Sequence, residues 1–170
     1  VYGPQVKGVG KGCRDREWER GTIQAEFSMP DRLDAHYIAE DGSKQIPVML
    51  HRVIVGSIER FTGILIEHYE GAFPSWLAPI QAVIINISQK QEEYTKNVEI
   101  NLKNQGLRVI SDLRNEKIGF KIREHSMQRY PYILVVGDRE QENNQVSVRR
   151  RGGEDLGSMS LEALTELINQ

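Results

Sequence analysis

From residue 80 onward, apolar segments of strand length alternate with segments of helical periodicity, and this alternation restricts the possible folds more than any other feature. Ala82–Ile87 has the length of a strand, whereas Tyr94, Val98 and Leu102 recur every four residues, as on one face of a helix. Such alternation is typical of an α/β sandwich with parallel strands at its centre. The further predicted elements are strands at Leu107–Ile110, Tyr132–Val136 and Gln145–Val148, and a last helix that contains Leu161, Leu164 and Ile168 behind the N-cap Ser160.

The first seventy residues follow a different pattern, which predicts antiparallel strands. Gly21–Phe27 alternates loosely before Met29-Pro30, and Gln45–Leu50 forms a second strand. The Asp41-Gly42 pair predicts a hairpin between them. Apolar residues at helical spacing predict a helix over His51–Tyr69. The glycine-rich residues 1–12 lack the spacing of a phosphate-binding loop and predict a flexible segment or an edge strand.

The two patterns meet at Ala72–Pro79, which we interpret as a linker that holds the apolar anchors Phe73 and Trp76. The predicted organisation is therefore residues 1–71, a linker at residues 72–79, and residues 80–170. The predicted fold class is α/β, with an antiparallel α+β segment followed by an α/β domain.

The composition excludes several classes of protein. With 39% hydrophobic and 27% charged residues and a net charge of −2, the chain fits a soluble globular protein whose nucleic-acid site, if any, is a local patch. Cys13 is the single cysteine, so no internal disulfide is possible and a reducing compartment such as the cytoplasm is expected. No apolar run is long enough to span a bilayer. The sequence begins at Val1 without a methionine, which we interpret as a fragment or a processed product.

A basic segment at Asp112–His125 follows a predicted strand and continues as a predicted helix. Ile118 and Ile122 share one face of it, and the charged residues Lys117, Lys121, Arg123 and Glu124 are expected on others. Asp112 and Asn115 are expected to accept hydrogen bonds at the helix start. Amide and cationic side chains together suit the recognition of an RNA loop. Spacing alone favours a simpler interpretation, a solvated charged face beside a buried apolar stripe.

Six ordered motifs give the chain a resemblance to a known family. They resemble the C-terminal part of the bacterial-type threonyl-tRNA synthetases. The motifs are Tyr2-Gly-Pro4, Gly21-Thr-Ile-Gln24 with Phe27-Ser28, Pro47-Val-Met-Leu-His51-Arg52, Gly56-Ser-Ile-Glu-Arg60-Phe61, Phe73-Pro-Ser-Trp-Leu-Ala-Pro79 and the Asp112–His125 segment; Gly137-Asp138 and Asp155-Leu-Gly-Ser158 follow in order. The resemblance implies the end of a class II catalytic domain up to about Gly71, and from about Trp76 an anticodon-binding domain with a mixed five-stranded sheet and helices on both faces.

The resemblance implies roles for four residues of the first part. Arg60 matches the arginine of motif 3, which contacts ATP phosphate, and a planar guanidinium suits that task. Gln24 and Ser57 match polar positions of the substrate site, and Tyr2 matches an aromatic residue that lines the same pocket. Without the resemblance, Arg60 would be interpreted as a surface arginine on an amphipathic helix.

His51 matches one of the three zinc ligands of the family. A substrate-binding zinc site needs three protein ligands and one open position, and Cys13 is not at a ligand position. A single histidine cannot hold zinc with useful affinity, so we expect this chain to purify without stoichiometric zinc.

The sequence also departs from the family. Gln5 stands where the family usually has lysine, Glu19 where it usually has glutamine, and motifs 1 and 2 are missing. Motif 2 supplies a second ATP-clamping arginine and motif 1 builds the homodimer of the family. We therefore expect that this chain does not activate threonine by itself.

The second part retains the family pattern for the tRNA anticodon. The resemblance carries over to Asn115, Lys117, Arg123, Glu140 and Arg149. A glutamate can accept from a base amino group, and an arginine can pair bidentately with a guanine edge. Without the resemblance, the run of arginines at 149–151 is equally well explained as a solvated cationic strand end.

The sequence thus predicts part of a threonine–tRNA ligase that keeps anticodon recognition. The complete enzyme uses threonine, ATP and zinc, and its partner is threonine tRNA; no DNA or membrane partner is expected. Two alternatives stay open: a non-catalytic synthetase-like module that binds or senses RNA, and a small α/β interaction domain without an RNA role.

Overall fold

A computed structural model describes residues 3–12 and 15–169, and the chain divides into two compact units, Val1–Tyr69 and Glu70–Gln170. Within the described residues, none of the helices has the length and apolar character that a membrane crossing requires.

The first unit contains a three-stranded antiparallel sheet. Its strands are β1 (Gln5–Lys11), β2 (Glu17–Glu26) and β5 (Met49–Val53), in the order β1-β2-β5. The other elements are the short helix α1 (Met29–Arg32), the two-residue strands β3 (Tyr37–Ile38) and β4 (Lys44–Gln45), and the helix α2 (Ile58–Tyr69). The glycine-rich start of the chain is thus an edge strand.

Two expectations for this unit are wrong in detail. His51 lies in β5 rather than in a helix, because Met49–Val53 pairs with β2; α2 begins at Ile58, after Gly56 takes a positive φ of 66°. The turn at Asp41-Gly42 joins β3 to β4, and not the two long strands. Local periodicity could not reveal the pairing of β5 with β2, because it joins residues far apart in sequence.

The second unit is built on a mixed five-stranded sheet, as expected. Its strand order is β10-β9-β8-β6-β7; β7, β6 and β8 run parallel, and β9 and β10 are antiparallel to their neighbours. The strands are β6 (Ala82–Asn86), β7 (Val109–Asp112), β8 (Tyr132–Val136), β9 (Val146–Arg150) and β10 (Asp155–Met159), and the helices are α3 (Glu92–Asn104), α4 (Ile118–Met127), α5 (Asp138–Glu142) and α6 (Leu161–Asn169).

Helices cover both faces of this sheet. On one face, side chains of α3 and α6 such as Leu102 and Leu164 pack on the sheet in a core that includes Val146 and Val148 of β9. On the other face, Ile118 and Ile122 of α4 pack on a smaller core. That smaller core has its buried residues on β6 and β8, so the adjoining part of β9 and β10 lies beside α4 rather than beneath it.

The structure also shows what the sequence did not indicate. β10 follows two glycines and contains a third, Gly157 at φ 78°, so its apolar alternation is interrupted. The segment interpreted as a linker belongs to the second unit. The Arg108 guanidinium donates to the carbonyl oxygens of Ser75, Trp76 and Ala78, at 3.3, 2.9 and 2.9 Å.

Candidate functional site

The part of the sheet beside α4 presents a row of polar side chains. Because side chains alternate along a strand, Val146 and Val148 point into the large core and Ser147 and Arg149 point to the opposite face. Ser158 and Asp155 of β10 stand opposite Ser147 and Arg149, so they share that face. We call Ser147, Arg149, Asp155 and Ser158 the open face.

Arg149 is the cation of the open face. Its side chain is 40% exposed, and its Nη2 lies 3.7 Å from Oδ2 of Asp155. The Nε atom is buried and has no hydrogen-bond partner among residues 3–12 and 15–169. Arg149 also lines a small cavity together with Ile122 and Ser126 of α4. The guanidinium therefore has donor capacity left for a ligand.

Glu140 lies at one end of the open face. One carboxylate oxygen accepts a hydrogen bond from the Gly137 backbone N–H at 3.0 Å, which caps α5, and the other accepts from the Ser158 hydroxyl at 3.3 Å. The capping role fixes the side chain, and the bond to Ser158 brings the second oxygen to the open face.

Arg123 joins this surface from α4. It is exposed and stands three residues before Ser126, so both side chains lie on one flank of the helix. Ser126 shares the cavity with Arg149, which shows that this flank faces β9. The fold therefore brings Arg123, Glu140 and Arg149 to one side of the sheet.

Asn115 and Lys117 lie elsewhere on the second unit. Both are exposed in the loop between β7 and α4, and β7 is three strand positions from β9, about 14 Å at the usual strand spacing. Asn115 does not cap α4 as expected. Lys117 occupies the N-cap position, but its side chain makes no capping hydrogen bond. Among residues 3–12 and 15–169, no hydrogen bond or ion pair joins these two residues to the open face.

The Asn115 loop rests on a buried ionic cluster that the sequence pattern did not predict. Asp112 is buried rather than a helix cap; it accepts from the Arg114 guanidinium at 2.9 and 2.7 Å, and His125 Nε2 lies 2.8 Å from its Oδ2. The Arg114 guanidinium holds the pKa of the Asp112 carboxyl well below its usual range against the opposing effect of burial, and His125 lowers this pKa further. Arg114 also pairs with Glu124 of α4 at 2.5 Å, so the loop is tied to the helix.

Lys121 corrects the expectation of a solvated basic face on α4. It is 1% exposed, and its ammonium donates to Oδ1 of Asn86 at 2.9 Å and to the Asp112 carbonyl oxygen at 3.0 Å. Burial lowers the pKa of Lys121. The signal was present in the sequence: positions 118, 121, 122 and 125 have the spacing of a single helical stripe, so Lys121 and His125 lie with the isoleucines.

In the first unit, the sheet register brings two of the expected substrate-site residues together. Gln24 of β2 stands opposite Gln5 of β1 and opposite His51 of β5, so these side chains share one face. The departure at Glu19 has a local explanation, because its carboxylate pairs with the Lys7 ammonium at 3.0 Å.

Arg60 is placed apart from Gln24 and His51. Its guanidinium carbon lies 6.0 Å from the centre of the Trp18 ring. The Ser57 hydroxyl donates to Glu59 at 2.5 Å and lowers the pKa of that carboxyl. No hydrogen bond or ion pair within residues 3–12 and 15–169 joins Arg60 to Gln24 or His51. Tyr2 lies outside the described residues.

The described residues do not by themselves fit a zinc ion. Across residues 3–12 and 15–169, no group of three or more His, Cys, Asp or Glu side chains is arranged to hold a metal. His51 is exposed and would provide one ligand of the three that such a site needs.

Comparison with known proteins identifies the class. Residues 81–170 match the family model described as "Anticodon binding domain", and residues 10–69 match the class II tRNA synthetase core domain of the G, H, P, S and T type. Because the first match covers more than half of the chain, the chain belongs to the anticodon-binding-domain family.

The relatives point to one enzyme. The chain is 67% identical to a threonine–tRNA ligase of Ruthia magnifica and 65% identical to that of Saccharophagus degradans. Each alignment spans 169 residues, which is 99% of the chain and 27% of the relative. It is 34% identical, with a TM-score of 0.91, to the RNA binding domain of threonyl-tRNA synthetase from Cryptosporidium parvum Iowa II, over 99% of this chain and 43% of that one. The resemblance stated from the motifs is thereby confirmed, and the chain spans about a quarter of the length of these curated relatives.

Proposed function

We propose that this chain recognises the anticodon loop of threonine tRNA, as the RNA-recognition part of a threonine–tRNA ligase. The observation that carries the proposal is that β10 connects Glu140 and Arg149 through Ser158 and Asp155, within the residues that match the anticodon-binding family. Arg123 is exposed on the flank of α4 that carries Ser126, which lines a cavity with Arg149. The longer relatives are named for the ligase reaction, which joins threonine to tRNA with ATP.

The chemistry of the open face supports reading of unpaired bases. A guanidinium can donate two parallel hydrogen bonds to the guanine O6 and N7 edge, and a carboxylate can accept from an exocyclic amino group. RNA loops offer these edges because their bases are unstacked. Arg123 and Lys117 supply charge for phosphates, so affinity should fall as salt rises.

Asn115 and Lys117 have a separate place in the proposal. Since their loop lies about three strand positions from β9, they would contact another part of the same RNA, beyond the bases read by Arg149. The Asp112–Arg114–Glu124 contacts hold this loop in position.

The remaining roles belong to the longer protein. We infer that Gln24, Ser57 and Arg60 serve threonine and ATP there, that His51 is one ligand of its zinc, and that it is a cytoplasmic homodimer. The isolated chain should show no threonine-dependent ATP–pyrophosphate exchange above background, because the phosphate clamp would lack its second arginine.

The proposal is tested by binding of a threonine tRNA anticodon stem-loop at moderate salt, measured by fluorescence anisotropy. Arg149→Ala should weaken binding by about 1–3 kcal/mol, the usual value of one base-reading arginine. Arg150→Ala is the matched control: it removes the same charge one residue along, where the guanidinium pairs with Glu154 at 3.0 Å. Equal affinity of the wild type and Arg149→Ala would contradict the proposal.

A further inference from the structure

The edge strand β10 touches both residues that the proposed function assigns to base reading, Arg149 and Glu140. Asp155 meets Arg149, and Ser158 donates to Glu140. The proposed base contacts involve no residue of the Asp155-Leu-Gly-Ser158 motif, yet its two polar side chains contact the two base-reading residues, Arg149 and Glu140. This arrangement suggests that β10 sets the direction of those groups.

The local geometry explains why Asp155 is fixed. Its Oδ1 accepts a hydrogen bond from the Gly157 backbone N–H at 2.9 Å, while its Oδ2 faces Arg149. Gly157 adopts a φ of 78°, and the pairing of β10 with β9 shifts register between Asp155 and Gly157. This conformation strongly favours glycine. The bulge therefore leaves one carboxylate oxygen occupied by backbone and the other free to orient a guanidinium.

The Asp155–Arg149 pair contributes little to stability. Both side chains are substantially exposed, at 56% and 40%, and the separation of 3.7 Å is long for an ion pair. Its effect is on direction: a carboxylate at Nη2 restricts the rotamers of Arg149. The exposed part of the guanidinium keeps N–H groups for a base, and the buried Nε is not among them. A guanidinium without this partner would reach phosphates as readily as a base edge.

We propose that Asp155 and Ser158 are positioning residues that set base discrimination by Arg149 and Glu140. The proposal rests on the function proposed above. Asp155 acts through Arg149 and Ser158 acts through Glu140, so neither needs to touch the RNA.

The test measures discrimination rather than affinity alone. The full chain is titrated with a threonine tRNA anticodon stem-loop and with versions in which each guanine in turn is 7-deazaguanine, which lacks the N7 acceptor. Wild type should lose affinity at the guanine that Arg149 reads. Asp155→Asn should reduce that discrimination by about fivefold or more, within the range of one bidentate contact.

Glu154→Gln is the matched control for Asp155→Asn. It removes the same charge from the adjacent residue, where the carboxylate pairs with Arg150 instead. It should retain full discrimination, which separates orientation from the change in net charge. In an Arg149→Ala background, Asp155→Asn should cause no further loss, because its effect passes through Arg149.

Ser158→Ala gives an independent measurement with stem-loops in which each guanine in turn is inosine, which lacks the exocyclic amino group. It should reduce discrimination against the inosine whose amino group Glu140 would accept from. If Arg149→Ala weakens binding while Asp155→Asn and Ser158→Ala both discriminate as the wild type does, the positioning role is wrong and the proposed function stands. If Arg149→Ala binds as the wild type does, the proposed function itself fails.

Discussion

The substitution Asp112→Asn offers a sharp test of the buried ionic cluster in the second unit. Asparagine has nearly the same shape, and its carbonyl oxygen can replace Oδ1, which accepts from the Arg114 backbone N–H at 3.1 Å and from its Nε at 2.9 Å. The new amide would occupy the place of Oδ2. The Arg114 Nη2 at 2.7 Å and the His125 Nε2 at 2.8 Å would then face its NH2 group. Arg114 is always a donor, and His125 is a donor in the tautomer that serves Asp112; the other tautomer would leave a buried Nδ1–H without a partner among the described residues.

The magnitude follows from the exposure of these two donors. The His125 contact is buried on both sides, at 7% and 6% side-chain exposure, and a hydrogen bond to a charged group there contributes about 1.5–3 kcal/mol. Arg114 is half exposed, so its lost contact costs about 0–1 kcal/mol after solvent screening. Together, Asp112→Asn should lower the free energy of unfolding of the second unit by about 1.5–4 kcal/mol.

The measurement should report on the second unit alone. Native-state hydrogen exchange of amides in β6, β7 and β8 gives the free energy of the opening that exposes this sheet. Asp138→Asn is the control, because it is the same isosteric change at an exposed residue after β8, where the carboxylate accepts from Gln91 at 2.6 Å. A loss below about 1 kcal/mol for Asp112→Asn, or a loss equal to that of the control, would refute the reasoning.

Three further predictions concern stability and metal content. Since the pKa of Asp112 is lower in the folded chain than in the unfolded chain, its contribution to stability should be fully present above about pH 4 and lost as the pH falls below that value. The stabilities of wild type and Asp112→Asn should therefore converge at low pH, as measured by acid unfolding followed by circular dichroism. Gly21→Ala should destabilise the first sheet by about 1–3 kcal/mol in urea unfolding, because the added Cβ would lie 2.7 Å from the Val53 carbonyl oxygen. Gly8→Ala should have a mild effect, because the nearest atom to its added Cβ would be 3.6 Å away. Equal effects of the two substitutions would contradict this packing. Elemental analysis of the purified chain should find far less than one zinc per molecule, and one zinc per chain would show that His51 has partners beyond those described.

The sequence by itself determined the class of fold and the family. Strand length and helical spacing placed β6, α3, β8 and α6 correctly, since these elements have apolar patterns that local periodicity detects. The six motifs identified the threonyl-tRNA synthetase resemblance, because they depend on residue identity and order and not on packing.

The tertiary structure alone decided which groups the buried charged residues contact. The stripe of α4 places Lys121 with the isoleucines, but only the parallel pairing of β6 and β7 brings Asn86 and the Asp112 carbonyl oxygen to the Lys121 ammonium, which makes its burial tolerable. The open face likewise depends on the register of β9 with β10, which sets Asp155 opposite Arg149. The pairing of β6 with β7 joins residues far apart in sequence, so no local pattern could have predicted the partners of the Lys121 ammonium. The pairing of β9 with β10 is local, but its register depends on the irregularity between Asp155 and Gly157, which strand periodicity does not reveal.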